Sequence, residues 1–554
     1  MGLGSGVLKR LKTWTDTRLQ CEPLSSAFLD KLPCTPRLVI SDTSSLLYKV
    51  FPHHKTWEGV FGELQEIVQE RARDGVETQV YCGDFYPKMP GNKQVEQELR
   101  VRDGKKKKLG DGTPVSPLTP EEISGVSMTQ LRGPTPNFHR LMATPGIKML
   151  LLSAFSFRGI METDMSCSEL TTAEAFVDGV CRTAGPLSGD KVPIPVCERR
   201  TRNNVTQSVQ RYQRDIGEGD VRAMWWASLY RDKWMQEVDG DGDGDGDDMA
   251  SKTVLVDFND SDEVVIFLLN MERFIYSKED EFDIRVIVRV GGRPWRPGED
   301  ARDKSTLVDI GELWRCIHHY VGKILDTRNC IITFSLLLLL AGTDFVKSIN
   351  SDGVISRASP FRGLGINSLL DTFLRNSAAR FCLSRAIVNG NFEEIRGNPW
   401  LVAHTHLADD MQIVHFVAFA YSACSKYEEC ETETSIAVTD SEHFKVPTME
   451  ELRSYDSKIV ESTRGRSTVR TAKHLATRTH CRLLNTQETL AVARRAFWGL
   501  DYWMNGYLTP NAQENHSSLS ATSNLPRYGW ITDSGTGRVT LSPKVCDIRQ
   551  IGDV

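Results

Sequence analysis

Five acidic segments, each closing or following an apolar stretch, hold the residues of this chain that could do chemistry. They are RLVISD, ending at Asp42; QVYCGD, ending at Asp84; TTAEAF, centred on Glu174; VDFNDSD, with Asp257, Asp260 and Asp262; and LLLLLAGTD, ending at Asp344. Short runs of Val, Ile and Leu read as buried strands of a parallel sheet. Sites in such folds open at the carboxyl ends of the strands. Carboxylates gathered there repel one another unless cations neutralise them, and hard oxygen donors suit Mg²⁺ or Mn²⁺. Two such ions roughly 3.5–4 Å apart are the usual device for in-line cleavage of a phosphodiester. The expected chemistry is two-metal hydrolysis of nucleic acid, which needs no side-chain nucleophile.

The elements that must position these acids read as an α/β fold. Arg37–Ser41 is a strand pattern, and Asp42-Thr43-Ser44 can cap a helix running through Phe51. A helix over Trp57–Arg73 leads to a second strand, Thr78–Cys82, and this alternation predicts a central parallel sheet flanked by helices. Helical patterns return over Phe138–Leu152 and again from Thr172. A strand follows at Thr253–Phe258. The apolar run Ile331–Ala341 is too short to span a bilayer and predicts a buried helix ahead of Asp344.

Between these elements the composition changes. Residues 101–136 carry Lys105, Lys106, Lys107 and Lys108 among Pro and Gly, which predicts a mobile arm: a solvated charge run or a nucleic-acid clamp. Residues 183–250 read as an insertion. Its middle combines Arg199, Arg200, Arg202, Arg211, Arg214 and Arg222 with Trp225, Trp226 and Trp234. Such letters can hold phosphates and stack bases, but a helix packing its Trp residues on the core is the preferred reading. The Asp/Gly alternation at 239–248 reads as an acidic linker rather than a Ca²⁺ loop. Residues 376–554 look mainly helical, include the basic positions Arg464, Arg466, Arg470 and Lys473, and end in loops and short strands.

With 554 residues, 40% hydrophobic and 25% charged, the chain is long enough for more than one domain, divided here at 1–375 and 376–554. The net charge of −6 gives no global mark of nucleic-acid binding, for which a local basic track would suffice. The 13 cysteines are scattered without CxxC pairs and read as reduced thiols of an intracellular protein, nuclear or cytoplasmic. Cys424 and Cys430 with His474 and His480 form a weaker metal alternative. Neither a secretory signal nor a membrane span is expected.

With these residues in place, the chain resembles the flap endonuclease/XPG superfamily, whose catalytic domain is PIN-like, over residues 1–375. MGLGSGVLKRL is similar to that family's opening, RLVISDTSSLLYKVF to the segment of its first catalytic Asp (Asp42), and QVYCGDFYPKMP to the segment of its second (Asp84). Lys93 and Arg100, with Arg102 as a substitute, are the nearest matches to the family's cations on the scissile phosphate. Its EAEA motif resembles Thr172-Ala173-Glu174-Ala175, which keeps Glu174 and has Thr172 where the first Glu belongs. Its D-x-D motif is similar to Asp260-Ser261-Asp262, and its last Asp to Asp344 in LAGTDF. GLGINSLLDTF, with Gly363 and Gly365, resembles the glycine-rich turn that grips duplex DNA. The XRN exoribonucleases share this core. AGTDF resembles their GNDF, and FWGLDYWMNGYL resembles an aromatic segment of theirs.

The resemblance implies one Mg²⁺ or Mn²⁺ held by Asp42, Asp84 and Glu174, and a second by Asp260, Asp262 and Asp344, with Asp257 as an alternative ligand. It implies duplex contacts at Gly363 and Gly365, while the basic stretches Lys105–Lys108 and Arg464, Arg466, Arg470 and Lys473 are expected, from their charge, to supply phosphate contacts. The implied function is a structure-specific 5′ nuclease acting on DNA flaps or ends. An RNA-degrading nuclease of the XRN or host-shutoff type is the alternative. Two further readings stay open: an inert PIN-like binding or scaffold protein, to which Thr172 points, and a different two-metal hydrolase such as a phosphatase.

Overall fold

The computed structural model describes residues 27–84, 116–124, 126–127, 131–142, 144, 146–185, 194–211, 219–238, 252–275, 282–298, 305–325, 330–342, 364–390, 404–407, 409–424, 448–454, 483–505, 530–532 and 539–541, together with residues 12 and 349. It is an α/β structure built on a mixed sheet of nine strands: β1 (Phe28–Leu29), β2 (Leu38–Asp42), β3 (Thr78–Cys82), β4 (Glu174–Cys181), β5 (Pro195–Thr201), β6 (Thr206–Arg211), β7 (Thr253–Phe258), β8 (Arg285–Val290) and β9 (Thr306–Asp309). Their order across the sheet is β1-β9-β8-β7-β2-β3-β4-β5-β6. The interior run β8-β7-β2-β3-β4 is parallel, and antiparallel strands flank it on both sides.

The chain starts this interior at β2, moves outward through β3 and β4, and returns to the other side of β2 as β7 and β8. That reversal makes a topological switch point between β2 and β7, where the connections leave in opposite directions, the place at which sheets of this kind form a crevice at their carboxyl ends.

Eleven helices are used below: α1 (Thr43–Val50), α2 (Trp57–Arg73), α3 (Ile147–Ala154), α4 (Gly219–Val238), α5 (Asp262–Asn270), α6 (Ile310–Leu325), α7 (Cys330–Ala341), α8 (Ile366–Arg375), α9 (Ser377–Ala386), α10 (Asp410–Cys424) and α11 (Thr486–Asn505). Strand residues alternate between two cores, as the pleat requires. Ile40, Val80, Phe176, Val254, Val256 and Phe258 pack with α4–α11. Tyr81, Ala175 and Val177 pack with α1–α3. Helix α7 is apolar all round and buried from Cys330 to Leu340, as expected of a helix enclosed by others.

Three expectations change and one holds. The segment from Thr172 enters a strand, not a helix. All eight residues of β4 are buried between β3 and β5, and its Phe, Val and Cys positions suit a doubly covered strand. The second half of the expected arm is packed. Leu118, Val126 and Leu131 enter the core, and the Gly133 N–H donates to the Glu58 carboxylate at 2.9 Å. In the insertion, β5 and β6 extend the sheet while α4 buries Trp226 and Trp234, the preferred of the two readings there. Finally, the described helices beyond residue 376 share one core with α4–α7, so apolar packing runs across the 375/376 division. No helix among the described residues is long and apolar enough to cross a membrane.

Candidate acidic site at the switch point

Asp42 ends β2 and caps α1. Its carboxylate accepts the Ser44 N–H at 2.8 Å and the Ser45 N–H at 2.7 Å. One strand away, Asp84 follows β3 and accepts the Gly219 N–H at 2.9 Å, which fixes the start of α4 over the end of β3. Surrounding protein and the nearby Asp84 push the Asp42 carboxyl up to about 7, against the opposing pull of its two backbone donors and of Lys148 in the first turn of α3. Asp42 and Asp84 thus stand on one side of the carboxyl edge.

The other side comes from α4 and α5. Asp220 lies in the first turn of α4, Asp260 in the turn after β7, and Asp262 and Glu263 open α5. Asp262 and Glu263 are buried, while Asp260 is exposed. Burial and then the charges of Asp220, Asp260 and Asp262 push the Glu263 carboxyl well above the usual carboxylate range. Glu263 Oε2 is a buried oxygen with no hydrogen-bond partner. Carboxylate oxygens, one of them orphaned, are a donor set that fits a hard divalent cation. Among the described residues no three His, Cys, Asp or Glu side chains close round a single metal position.

Glu174 does not join this crevice. It is the first residue of β4, level with Thr78 and Leu38, whereas Asp42 is level with Cys82 and Asp178. Four residues of strand put it about 13 Å from the carboxyl edge. There it is already satisfied: Arg199 Nε donates to it at 2.6 Å, Thr78 Oγ1 at 3.4 Å, and the Tyr230 hydroxyl also donates. Thr172, beside it, is therefore no missing ligand of the site; its hydroxyl donates to Glu77 at 3.2 Å. The acid of β4 that is level with Asp42 is Asp178, which is neutralised by Arg222 and by the Trp226 indole N–H at 2.7 Å.

Asp257 is not an alternative ligand. Strand alternation turns it away from the core shared by Val256 and Phe258 and into a cage of cations. Arg289 approaches at 2.8 Å, Arg71 at 3.1 Å and Lys49 at 3.5 Å, and the Trp295 N–H donates at 2.8 Å. Three cations hold its carboxyl well below the usual range in spite of complete burial. The thiol of Cys82, level with Asp42, is pushed up by burial and stays protonated.

Of the expected site residues, Asp42, Asp84, Asp260 and Asp262 lie at the carboxyl edge. Gly365 caps α8. Asp344, Lys93, Arg100, Arg102, Lys105, Lys106, Lys107, Lys108, Gly363, Arg464, Arg466, Arg470 and Lys473 lie outside the described residues, as do Cys430, His474 and His480. The eight described cysteines that retain side-chain detail are free thiols.

Sequence reasoning missed Asp220, Glu263 and Lys148. A signal for the first was present. Glu218-Gly219-Asp220 sets two acids two residues apart at a helix start, the spacing sought at Thr172-Ala173-Glu174. It lies inside the apparent insertion, apart from the five acidic segments. The chain matches no protein-family model and shows no significant similarity to any curated protein.

Proposed function

We propose that this chain is a divalent-metal-dependent nuclease with a PIN-like catalytic core, hydrolysing phosphodiester bonds of nucleic acid. One observation carries the reading. Acids from the end of β2, the end of β3, the start of α4 and the β7–α5 turn converge at the switch point of the parallel strands. A gathering of like charge destabilises a fold unless it has a use for cations.

In this reading Asp42, Asp84, Asp220, Asp260 and Asp262 would hold Mg²⁺ or Mn²⁺, with Asp344 as a further ligand implied by the resemblance. Bound there, such ions would supply Lewis acidity for activating a water and for the charge on the departing oxygen. The chain's own contribution is placement. The α1 cap fixes Asp42, the start of α4 fixes Asp84, and the Asp257 cage fixes the strand from which Asp260 and Asp262 follow. Lys148, whose charge reaches Asp42, is placed to meet a substrate phosphate, the part assigned by resemblance to Lys93 and Arg100. Thr172, one of the features that favour an inert scaffold, precedes β4 at the end of the strand opposite Asp178, so it does not count against this site.

The test is cleavage of two 5′-labelled substrates, a DNA flap and a single-stranded RNA, in Mg²⁺, Mn²⁺ or EDTA, beside an Asp260→Ala/Asp262→Ala control. The expected result is metal-dependent cutting that the control lacks. Preference for RNA selects the XRN-like alternative. No cutting of either substrate by folded protein sinks the proposal and leaves an inert PIN-like binding protein.

A further inference from the structure

We propose that Arg293, carried on the segment 291–296 that follows β8, holds a phosphate of the nucleic-acid strand beside the acids of the carboxyl edge. The inference rests on the nuclease reading above and gives a substrate contact to a residue that the resemblance does not supply.

Strand β8 ends at Val290, level with Phe258 at the end of β7, and the Gly291 N–H donates to the Phe258 carbonyl at 3.3 Å. Gly291 and Gly292 follow with φ of 76° and 72°, a left-handed conformation that glycine adopts without strain. The segment beyond them is fastened from two sides. The buried arginines around Asp257 donate to its carbonyls as well as to the carboxylate. Arg289 Nη1 donates to the Arg293 carbonyl at 2.6 Å, and Arg71 Nε and Nη2 donate to the Trp295 carbonyl at 3.1 and 3.0 Å. The Trp295 N–H donates to Asp257, and Trp295 packs with Val39, Leu255 and Ile287. On the other side Arg296 reaches Glu63 at 3.3 Å, Glu66 at 3.2 Å and Glu70 at 3.1 Å, all on α2.

Within Arg293-Pro294-Trp295-Arg296, three residues anchor and one is presented. Pro294 and Trp295 are buried, Arg296 is tied to α2, and Arg293 is exposed. Its side chain stands on a backbone fixed at its own carbonyl, so less freedom is lost when the guanidinium closes on an anion. Strand β8 lies next to β7, whose following turn carries Asp260 and leads to Asp262. Neighbouring strands are about 4.8 Å apart, so a nucleic-acid strand laid across the ends of β3, β2 and β7 comes next to β8. The acids of this edge repel its phosphates, and a chain of net charge −6 must supply the attraction locally. A guanidinium donates to phosphate oxygens in pairs. The sugar–phosphate backbone, rather than a base, is therefore the group that Arg293 takes.

The experiment is binding of a fluorescent DNA flap and a fluorescent single-stranded RNA to the full chain in EDTA, read by anisotropy over a series of KCl concentrations. Wild type, Arg293→Ala and Arg293→Lys are compared, with a melting curve to verify that each is folded. For Arg293→Ala the expected affinity is about tenfold lower near 0.1 M salt, and the slope of log K against log salt is shallower by about one. Arg293→Lys should keep the wild-type slope, because it keeps the charge. Folded Arg293→Ala that binds with the affinity and slope of wild type overturns this proposal alone. Wild type that binds neither substrate overturns it together with the nuclease reading.

Discussion

Gly219 and Asp84 are joined backbone to side chain: the Gly219 N–H donates to Asp84 Oδ1 at 2.9 Å. A Cβ on Gly219 would stand 3.2 Å from that oxygen and 3.5 Å from the Cys82 carbonyl. Gly219→Ala should therefore shift the Asp84 carboxylate by a few tenths of an ångström while gaining helix propensity. The expected outcome is cleavage reduced at least about tenfold, as for loss of a supporting contact, with little change in melting temperature. Unchanged turnover would show that Asp84 does not need this anchor.

Glu174 and Asp220 make opposite predictions. Asp220→Asn should reduce cleavage by about a hundredfold or more, since losing a supporting contact alone costs up to about that. Glu174→Gln should cost stability through its Arg199 and Tyr230 contacts and leave kcat near wild type in protein that remains folded. Steady-state kinetics beside urea unfolding separates the two. Loss of kcat in folded Glu174→Gln would return Glu174 to the site.

Stability should fall as pH rises. The folded Asp42 carboxyl is pushed up to about 7, against about 3.9 in an unfolded chain. Between about pH 4 and 7 the folded chain keeps a proton that the unfolded chain has lost, so this group's contribution declines across that window and is level above it. Glu263 shifts in the same direction and adds to the slope. Urea midpoints in EDTA should be lower at pH 8 than at pH 5.5, and Asp42→Asn should flatten the difference. Mn²⁺ should restore the midpoint at pH 8. A wild-type profile that does not fall would contradict the crowding of these acids.

The Asp257 cage predicts a stability effect without a binding effect. Asp257→Asn leaves Arg71, Arg289 and Lys49 enclosed with their counter-charge removed. The expected loss is about 3–5 kcal/mol of unfolding free energy, measured in urea. Mn²⁺ affinity of the folded variant should hold near wild type, since Asp257 faces away from the crevice. A large loss of affinity with intact stability would make Asp257 a ligand after all.

Elements set by neighbouring residues were legible in the letters. The strand before Asp42, the cap at Asp42, the helix Trp57–Arg73, the strand Thr78–Cys82 and the enclosed apolar helix before Asp344 all follow from local periodicity and capping. What distant strands decide was not legible. EAFVDGVC is a short apolar run that fits a buried helix segment as well as a strand, and only its pairing with Thr78 and Thr201 puts Glu174 at the far edge. Asp257 and Asp260 are three residues apart, yet strand alternation sends one into a cation cage and leaves the other beside the crevice. Asp220 went unseen because α4 returns to the sheet only after the β5–β6 hairpin.

Helix α5, which brings Asp262 and Glu263, is anchored at its other end by residues far along the chain. Asn270 Nδ2 donates to the Trp503 carbonyl at 3.1 Å, and Arg273 to the Met504 carbonyl at 3.0 Å. During synthesis those carbonyls emerge on the order of 10 s or more after α5, at about 5–20 residues per second. Until then Asn270 and Arg273 lack the carbonyl partners that α11 provides. A nascent chain therefore carries its acids before it can aim them, and the crevice takes shape only when the late helices arrive.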